Sequence, residues 1–136
     1  MKKQKTAILD LYDYEKLLPF INDPEYCGRM TAPDAAARLK GPCGDEMEFY
    51  LVIEDGILKE VKYYSEGCEF TRVCAAMTAR EARGKTVEDA LFLSAGQIKS
   101  RLKGLPPDHL HCSILAVTTL YRALVAHLMG YDGGLL

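Results

Sequence analysis

The chain has 136 residues, 49% of them hydrophobic and 26% charged, which is enough for one domain with a real core and too apolar for a disordered segment. Seventeen basic residues against nineteen acidic ones leave a formal charge of −2, so there is no electrostatic case for a nucleic acid or anionic-membrane partner. No apolar stretch approaches the roughly 20 residues of a membrane span.

In chain order, residues 6–18 are predicted as a helix stopped by Pro19, and Asp10, Asp13, Glu15 and Lys16 within it break up any secretory leader. Residues 19–35 carry Pro19, Pro24, Gly28 and Pro33 and read as a connection. Residues 1–27 are therefore expected as a mobile N-terminal piece, and 28–136 as a single domain. An extended piece over Ala36–Lys40 leads to Gly41-Pro42. Met47, Phe49, Leu51 and Ile53 then alternate with Glu48, Tyr50, Val52 and Glu54, the period-2 pattern of a strand with one wet face. Asp55-Gly56 is a hairpin signal, and Ile57–Tyr64 returns as the partner strand.

After Gly67-Cys68 the period changes. Phe70, Val73, Cys74 and Met77 define one face of a helix that Gly84 ends. Thr86 with Asp89 starts a short helix to about Leu93, and Ser94 caps another from Ala95 to about Leu102. Pro106-Pro107-Asp108 opens a last helix over about His109–Met129, with Asp108 as N-cap and Gly130 as stop. Leu110, Ile114, Val117, Tyr121, Leu124 and Leu128 form its expected buried stripe. The fold class is α+β: a small antiparallel sheet of about three strands, helices packed on one face, and a long C-terminal helix.

Chemistry gathers at the element ends. Five cysteines at irregular spacing argue against a disulfide framework and for reduced thiols in a cytoplasmic protein. Cys43 and Cys68 sit beside glycine, Cys112 follows Pro106-Pro107 by one turn of chain, and the three are 25 and 44 residues apart, so any shared site is assembled by the fold rather than by a local knuckle. Gly41, Gly44 and Gly67 allow close backbone approach to a bulky group. Cys112, in the first turn of a helix, is expected to have a lowered thiol pKa. Asp45 and His111 are the candidates for a fourth ligand beside the three thiols. Residues 111 and 112 lie about 100° apart on a helix, so His111 and Cys112 do not both point squarely at one centre. Cys74, on the apolar face, reads as a core thiol and Cys27 as a loop residue. His109 and His127 read as surface or packing histidines, and Asp45 has an Asx-turn cap as its plain alternative.

The segments Lys40-Gly-Pro-Cys-Gly-Asp-Glu-Met-Glu48, Ser65-Glu-Gly-Cys68 and Leu105-Pro-Pro-Asp-His-Leu-His-Cys-Ser-Ile-Leu-Ala116 resemble the three signature segments of the IscU/NifU N-terminal family, in order and with compatible spacing. Gly84-Lys-Thr-Val-Glu-Asp-Ala-Leu91 matches between the second and third. The resemblance implies an iron-sulfur cluster assembly scaffold and not a turnover enzyme. A cysteine desulfurase would supply sulfur, and a transient [2Fe–2S] cluster would form on Cys43, Cys68 and Cys112 and pass to apo-proteins. Asp45 matches the aspartate that keeps the cluster labile, and His111 the accessory ligand. Zn²⁺ suits the same site, so a zinc-binding persulfide acceptor is the competing class; for the scaffold, the cluster held in a monomer and the cluster bridged between two copies both stay open. The chain departs from the family pattern in two places. Glu69-Phe70-Thr71-Arg72 replaces a run of small residues after Cys68, with Arg72 one turn below the thiol as a possible positive neighbour. Leu105-Pro106-Pro107-Asp108-His109 replaces Leu-Pro-Pro-Val-Lys, so handover to a dedicated chaperone pair is not carried across.

Overall fold

The computed structural model describes residues 12–130. The sheet follows the alternation in the sequence. Strand β3 (Glu46–Glu54) pairs antiparallel with β4 (Ile57–Tyr64) through Asp55-Gly56, whose φ angles of 54° and 74° give the doubly left-handed turn that matches strand twist. Strand β2 (Ala35–Lys40) pairs antiparallel with the other edge of β3, Ala36 opposite Tyr50 and Leu39 opposite Met47, which makes a β2-β3-β4 meander. The free edge of β4 is covered near its end: Gly28 N–H donates to Tyr63 O and Tyr63 N–H to Tyr26 O, both at 2.8 Å.

The first half of β3 is buried on both faces, not on one. Met47, Phe49 and Leu51 face the helices, while Glu48 and Tyr50 on the far side are also buried. The reason is a polar cover. Arg29 donates to both Glu48 carboxylate oxygens at 2.9 and 3.1 Å, Tyr50 OH donates to Glu48 at 2.6 Å, and the Arg29 guanidinium stacks 4.0 Å from the Tyr64 ring.

The helices pack on the other face. Helix α2 (Glu69–Ala82) lies on β4, and the long α5 (Leu110–Leu128) crosses β2 and β3 and runs against α2. Between them come α3 (Val87–Ala90) and α4 (Ala95–Arg101). Thr86 accepts the Asp89 N–H at the start of α3, and Ser94 and Gln97 form a complete capping box on α4. Strand β5 (Leu102–Lys103) pairs in parallel with β1 (Tyr12–Asp13) at the other end of the chain.

Three expectations change. The helix expected over 6–18 is, within the described residues, β1, a four-residue helix α1 (Tyr14–Leu17) and a 3₁₀ turn over Leu18–Phe20; its first part lies outside the described residues. Pro19 sits inside that turn, where its missing N–H has no partner to lose. Leu17 and Ile21 are buried in the same core as the sheet and helices, and the Tyr63 hydroxyl donates to the Ile21 carbonyl. Asp108 does not cap α5: it lies within a 3₁₀ turn, Pro107–His109, and His109 occupies the cap position with no side-chain bond.

Third, α5 is rotated relative to the expected stripe. Val117 and Leu124 are buried, but Leu110, Ile114 and Leu128 are exposed, and the inward side is Cys112, Ala116, Leu120, Ala123 and their neighbours. Small side chains let the helix axis lie close over the sheet, so the largest apolar residues are not all on the buried face. The same composition makes Pro107–Leu128 long and apolar enough to cross a membrane by length and hydropathy alone, against the expectation from sequence; its buried side is the domain core. Leu120→Ala is expected to cost about 2–5 kcal/mol, whereas Leu128→Ala stays within about 0.5 kcal/mol of wild type, both read from urea midpoints. Equal losses at the two positions would contradict this rotation.

Candidate metal centre

The candidate residues lie at one end of the sheet, where the β2–β3 turn, the β4–α2 junction and the start of α5 meet. Cys43 and Asp45 come from the turn, Cys68 is the N-cap of α2, and Cys112 is in the first turn of α5. Thr71, one turn into α2 and fully buried, joins them. Its hydroxyl donates to Asp45 Oδ2 at 2.6 Å, and its oxygen stands 3.5 Å from Cys68 Sγ and 3.4 Å from Cys112 Sγ. The Cys68 N–H adds a longer contact of 3.4 Å to Asp45.

Asp45 is therefore more than an Asx cap of its own turn: the Thr71 hydroxyl and the Cys68 N–H reach it from more than 20 residues away, beside the Cys43 thiol of the same turn. The Thr71 hydroxyl, with the Cys68 N–H and the neighbouring thiols, holds its carboxyl below the usual aspartate range. Gly67 makes this approach possible, because a Cβ there would come within 2.7 Å of the Asp45 carboxyl carbon. The Gly67 N–H is taken by Ser65 Oγ at 3.1 Å, so this glycine serves the carboxylate rather than a sulfur.

Cys112 corrects another expectation. Burial pushes its thiol up to about 11, and the charges of Cys68, Cys43 and Asp45 add to the rise. The side chain is fully buried, and desolvation of a thiolate outweighs the favourable field of one helix terminus. Cys43 and Cys68 are exposed. Cys74 is a core residue with its thiol pKa strongly raised by burial, and Cys27 lies half-buried in a bridge to Tyr63. The charge of Arg72 is felt at Tyr63, and among the described residues its buried Nε has no hydrogen-bond partner.

His109, read from the sequence as a surface or packing histidine, and Thr71, given no site role there, join this group. His109 Nδ1 lies 3.9 Å from Cys112 Sγ, and the ligating atoms of Cys68, His109 and Cys112 all fall within 4.8 Å of one another. The His109 ring packs on Phe70 at 4.0 Å between centroids, while His111 lies outside this group, its ring 5.9 Å from that of His109. The available signals were spacings: His109 is three residues before Cys112, and Thr71 three after Cys68, each on its neighbour's helical face. On the far side a cleft of about 320 Å³, bordered by Gly44, Asp45, Glu48, Tyr64 and Arg29, reaches the carboxylate.

Soft sulfur donors from three element ends, with a carboxylate and an imidazole beside them, define a small α+β protein with a partly open cluster of free cysteines. The chain belongs to the NifU-like N terminal domain family, whose model matches residues 12–130. It is 31% identical over 112 residues to the iron-sulfur cluster assembly scaffold protein IscU 1 of Archaeoglobus fulgidus, covering 82% of this chain and 73% of the relative. Identity to the IscU scaffold of Aquifex aeolicus is 30% over 118 residues, with 85% and 75% covered. To that of Azotobacter vinelandii it is 29% over 115, with 81% and 89% covered. The fold is similar to that of a putative iron-sulfur cluster assembly scaffold protein for the SUF system from Fervidobacterium islandicum. The TM-score is 0.67 at 18% identity, over 87% of this chain and 98% of that one.

Two measurements check the site. At neutral pH the metal-free protein should alkylate first at Cys43 and Cys68. Cys112 should lag and accelerate as pH rises toward 11, since only about one part in ten thousand is thiolate at pH 7. Early labelling of Cys112 would contradict the burial argument. Thr71→Val should cost about 1–2 kcal/mol at pH 7 by removing a charge-assisted hydrogen bond. Because the Asp45 pKa is lowered in the folded state, that stabilisation is present above the ordinary aspartate value and disappears as pH falls through the folded one. Wild type and Thr71→Val should thus converge in acid, as followed by denaturant melts at several pH values.

Proposed function

We propose that this protein is a scaffold on which an iron-sulfur cluster is assembled and from which it is passed to apo-proteins. The observation that carries the reading is the meeting of Cys68, Cys112 and Asp45 around the Thr71 hydroxyl, with Cys43 in the Asp45 turn, in a chain of this family. The relatives named as IscU scaffolds support it. In this reading a cysteine desulfurase delivers persulfide sulfur to one of the thiols, iron is recruited, an electron donor reduces each persulfide by two electrons to sulfide and frees the thiolate, and a [2Fe–2S] cluster is held by Cys43, Cys68 and Cys112. Asp45 serves as the labile oxygen neighbour. The cluster is cargo, and the protein is a carrier, not a turnover enzyme. Thiolates at element ends fit this role, because they reach a bulky inorganic core from three sides and leave one side open for release. Cytoplasmic partners are the desulfurase and apo-proteins, with a second copy of the chain able to share the cluster.

A second reading, a zinc-holding acceptor of persulfide sulfur, is favoured by one observation: Cys68, His109 and Cys112 form a compact donor group while Cys43 stands exposed. Anaerobic reconstitution with iron, cysteine, a cysteine desulfurase and a reductant separates the two. Visible charge-transfer bands with about two irons and two sulfides per cluster are expected for the scaffold. Zinc held stoichiometrically, undisplaced and without such bands, would sink the scaffold reading in favour of the second. Cys68→Ser should abolish a normal spectrum. Asp45→Ala should slow cluster loss by about fivefold, because a carboxylate beside an anionic cluster repels it by about 1 kcal/mol in a partly exposed site; faster loss would contradict that role.

A further inference from the structure

We propose that His109, oriented by Phe70, is the histidine that holds a metal ion together with Cys68 and Cys112, and that His111 is not. The proposal deepens the reading of this end of the sheet as a metal-handling site and rests on it. Its first support is geometric. His109 precedes Cys112 by three residues and so lies over the same helical face, with Nδ1 3.9 Å from Cys112 Sγ. All three donor atoms lie within 4.8 Å of one another. A tetrahedral zinc ion with sulfur at about 2.3 Å and nitrogen at about 2.0–2.1 Å sets neighbouring donors about 3.5–3.8 Å apart. Small side-chain rotations close the remaining difference.

The second support is the ring beneath the imidazole. Phe70, two residues after Cys68 and packed against the core, meets the His109 ring at 4.0 Å with a 32° tilt. An imidazole in this position has one face covered and loses little rotational freedom on binding a metal, which is how an outer contact raises the affinity of a ligand. Phe70 is thus a positioning residue. His109 also closes the 3₁₀ turn at the cap position of α5, φ −110° and ψ 18°, with its N–H held by Pro106 O at 2.9 Å. His111 is within the helix and about 100° around it from Cys112, with its ring 5.9 Å from that of His109. The fourth coordination position is then left to Cys43, Asp45 or an incoming group, so the site is held by three donors and closed by a fourth that exchanges.

The test uses the full chain, freed of metal and given one equivalent of Zn²⁺, with affinity from chelator competition and the ligand shell from X-ray absorption at the zinc edge. Wild type is expected to show sulfur scattering together with the outer-shell signature of one imidazole. His109→Ala should lose that signature and weaken zinc by about 100-fold or more, whereas His111→Ala keeps it and changes affinity by less than about threefold. Phe70→Leu should weaken zinc by about tenfold and broaden the imidazole signature, and Phe70→Tyr should restore both. Circular dichroism confirms that each variant is folded, and His109→Gln replaces His109→Ala if that variant is not. Loss of the imidazole in His111→Ala, or wild-type zinc with no imidazole at all, overturns the assignment to His109. Either result leaves the scaffold reading intact if iron and sulfide still assemble on the wild-type chain. A wild-type chain that takes up neither zinc nor a cluster overturns both.

Discussion

The hydrogen bond from Thr71 to Asp45 is the contact through which the parts of this site hold one another. It joins the turn after β2 to the first turn of α2, and the same oxygen faces Cys112 at the start of α5. A threonine hydroxyl has one proton, and here it points at the carboxylate. The same oxygen stands within 3.5 Å of the Cys68 and Cys112 sulfurs, and with its proton on the carboxylate it has only lone pairs to offer them. Removing charge from Asp45 or protons from the sulfurs changes what this one hydroxyl can satisfy. Metal binding, thiol ionisation and the position of the β2–β3 turn are linked by that constraint.

The surrounding fold explains why the hub stays in place. The meander sheet is covered by helices on one side and by the Arg29–Glu48–Tyr50 cluster on the other, so the strand leading from Asp45 is fixed on both faces. Helix α5 lies against the sheet on alanines, Leu120 and Leu124, and its first turn is thereby carried to the end of β2 and β3. The cost of this arrangement falls on Cys112, which is buried where a thiolate is poorly solvated. A metal ion arriving at the site would supply the positive charge that the buried sulfur lacks, while exposed Cys43 and Cys68 remain reachable from outside.

The two places where the sequence departs from the family pattern meet in space. Phe70 and Thr71 follow Cys68, His109 precedes Cys112, and the rings of Phe70 and His109 stack across the α2–α5 contact. Read one at a time along the chain, these residues are a bulky apolar side chain, a helix-interior threonine and a surface histidine. Each of those readings is the ordinary one for its residue type. Only the packing of two helices whose first turns are more than 40 residues apart turns them into one environment.

Much of the rest was legible without coordinates, for local reasons. Alternating hydrophobicity and Asp55-Gly56 determined the β3–β4 hairpin, and Ser94 determined the start of α4, because turns and caps depend on a few adjacent residues. Glycine beside Cys43 and Cys68, and Pro106-Pro107 ahead of Cys112, located the thiols at element ends, which restricted the candidate site to one set of cysteines. The sequence could not decide which histidine faces the sulfurs, which side of α5 is buried, or whether Cys112 ionises easily. Those outcomes depend on helix rotation by less than one residue and on how much water remains around a buried atom. Both are properties of contacts between distant segments, and only the tertiary structure decides them.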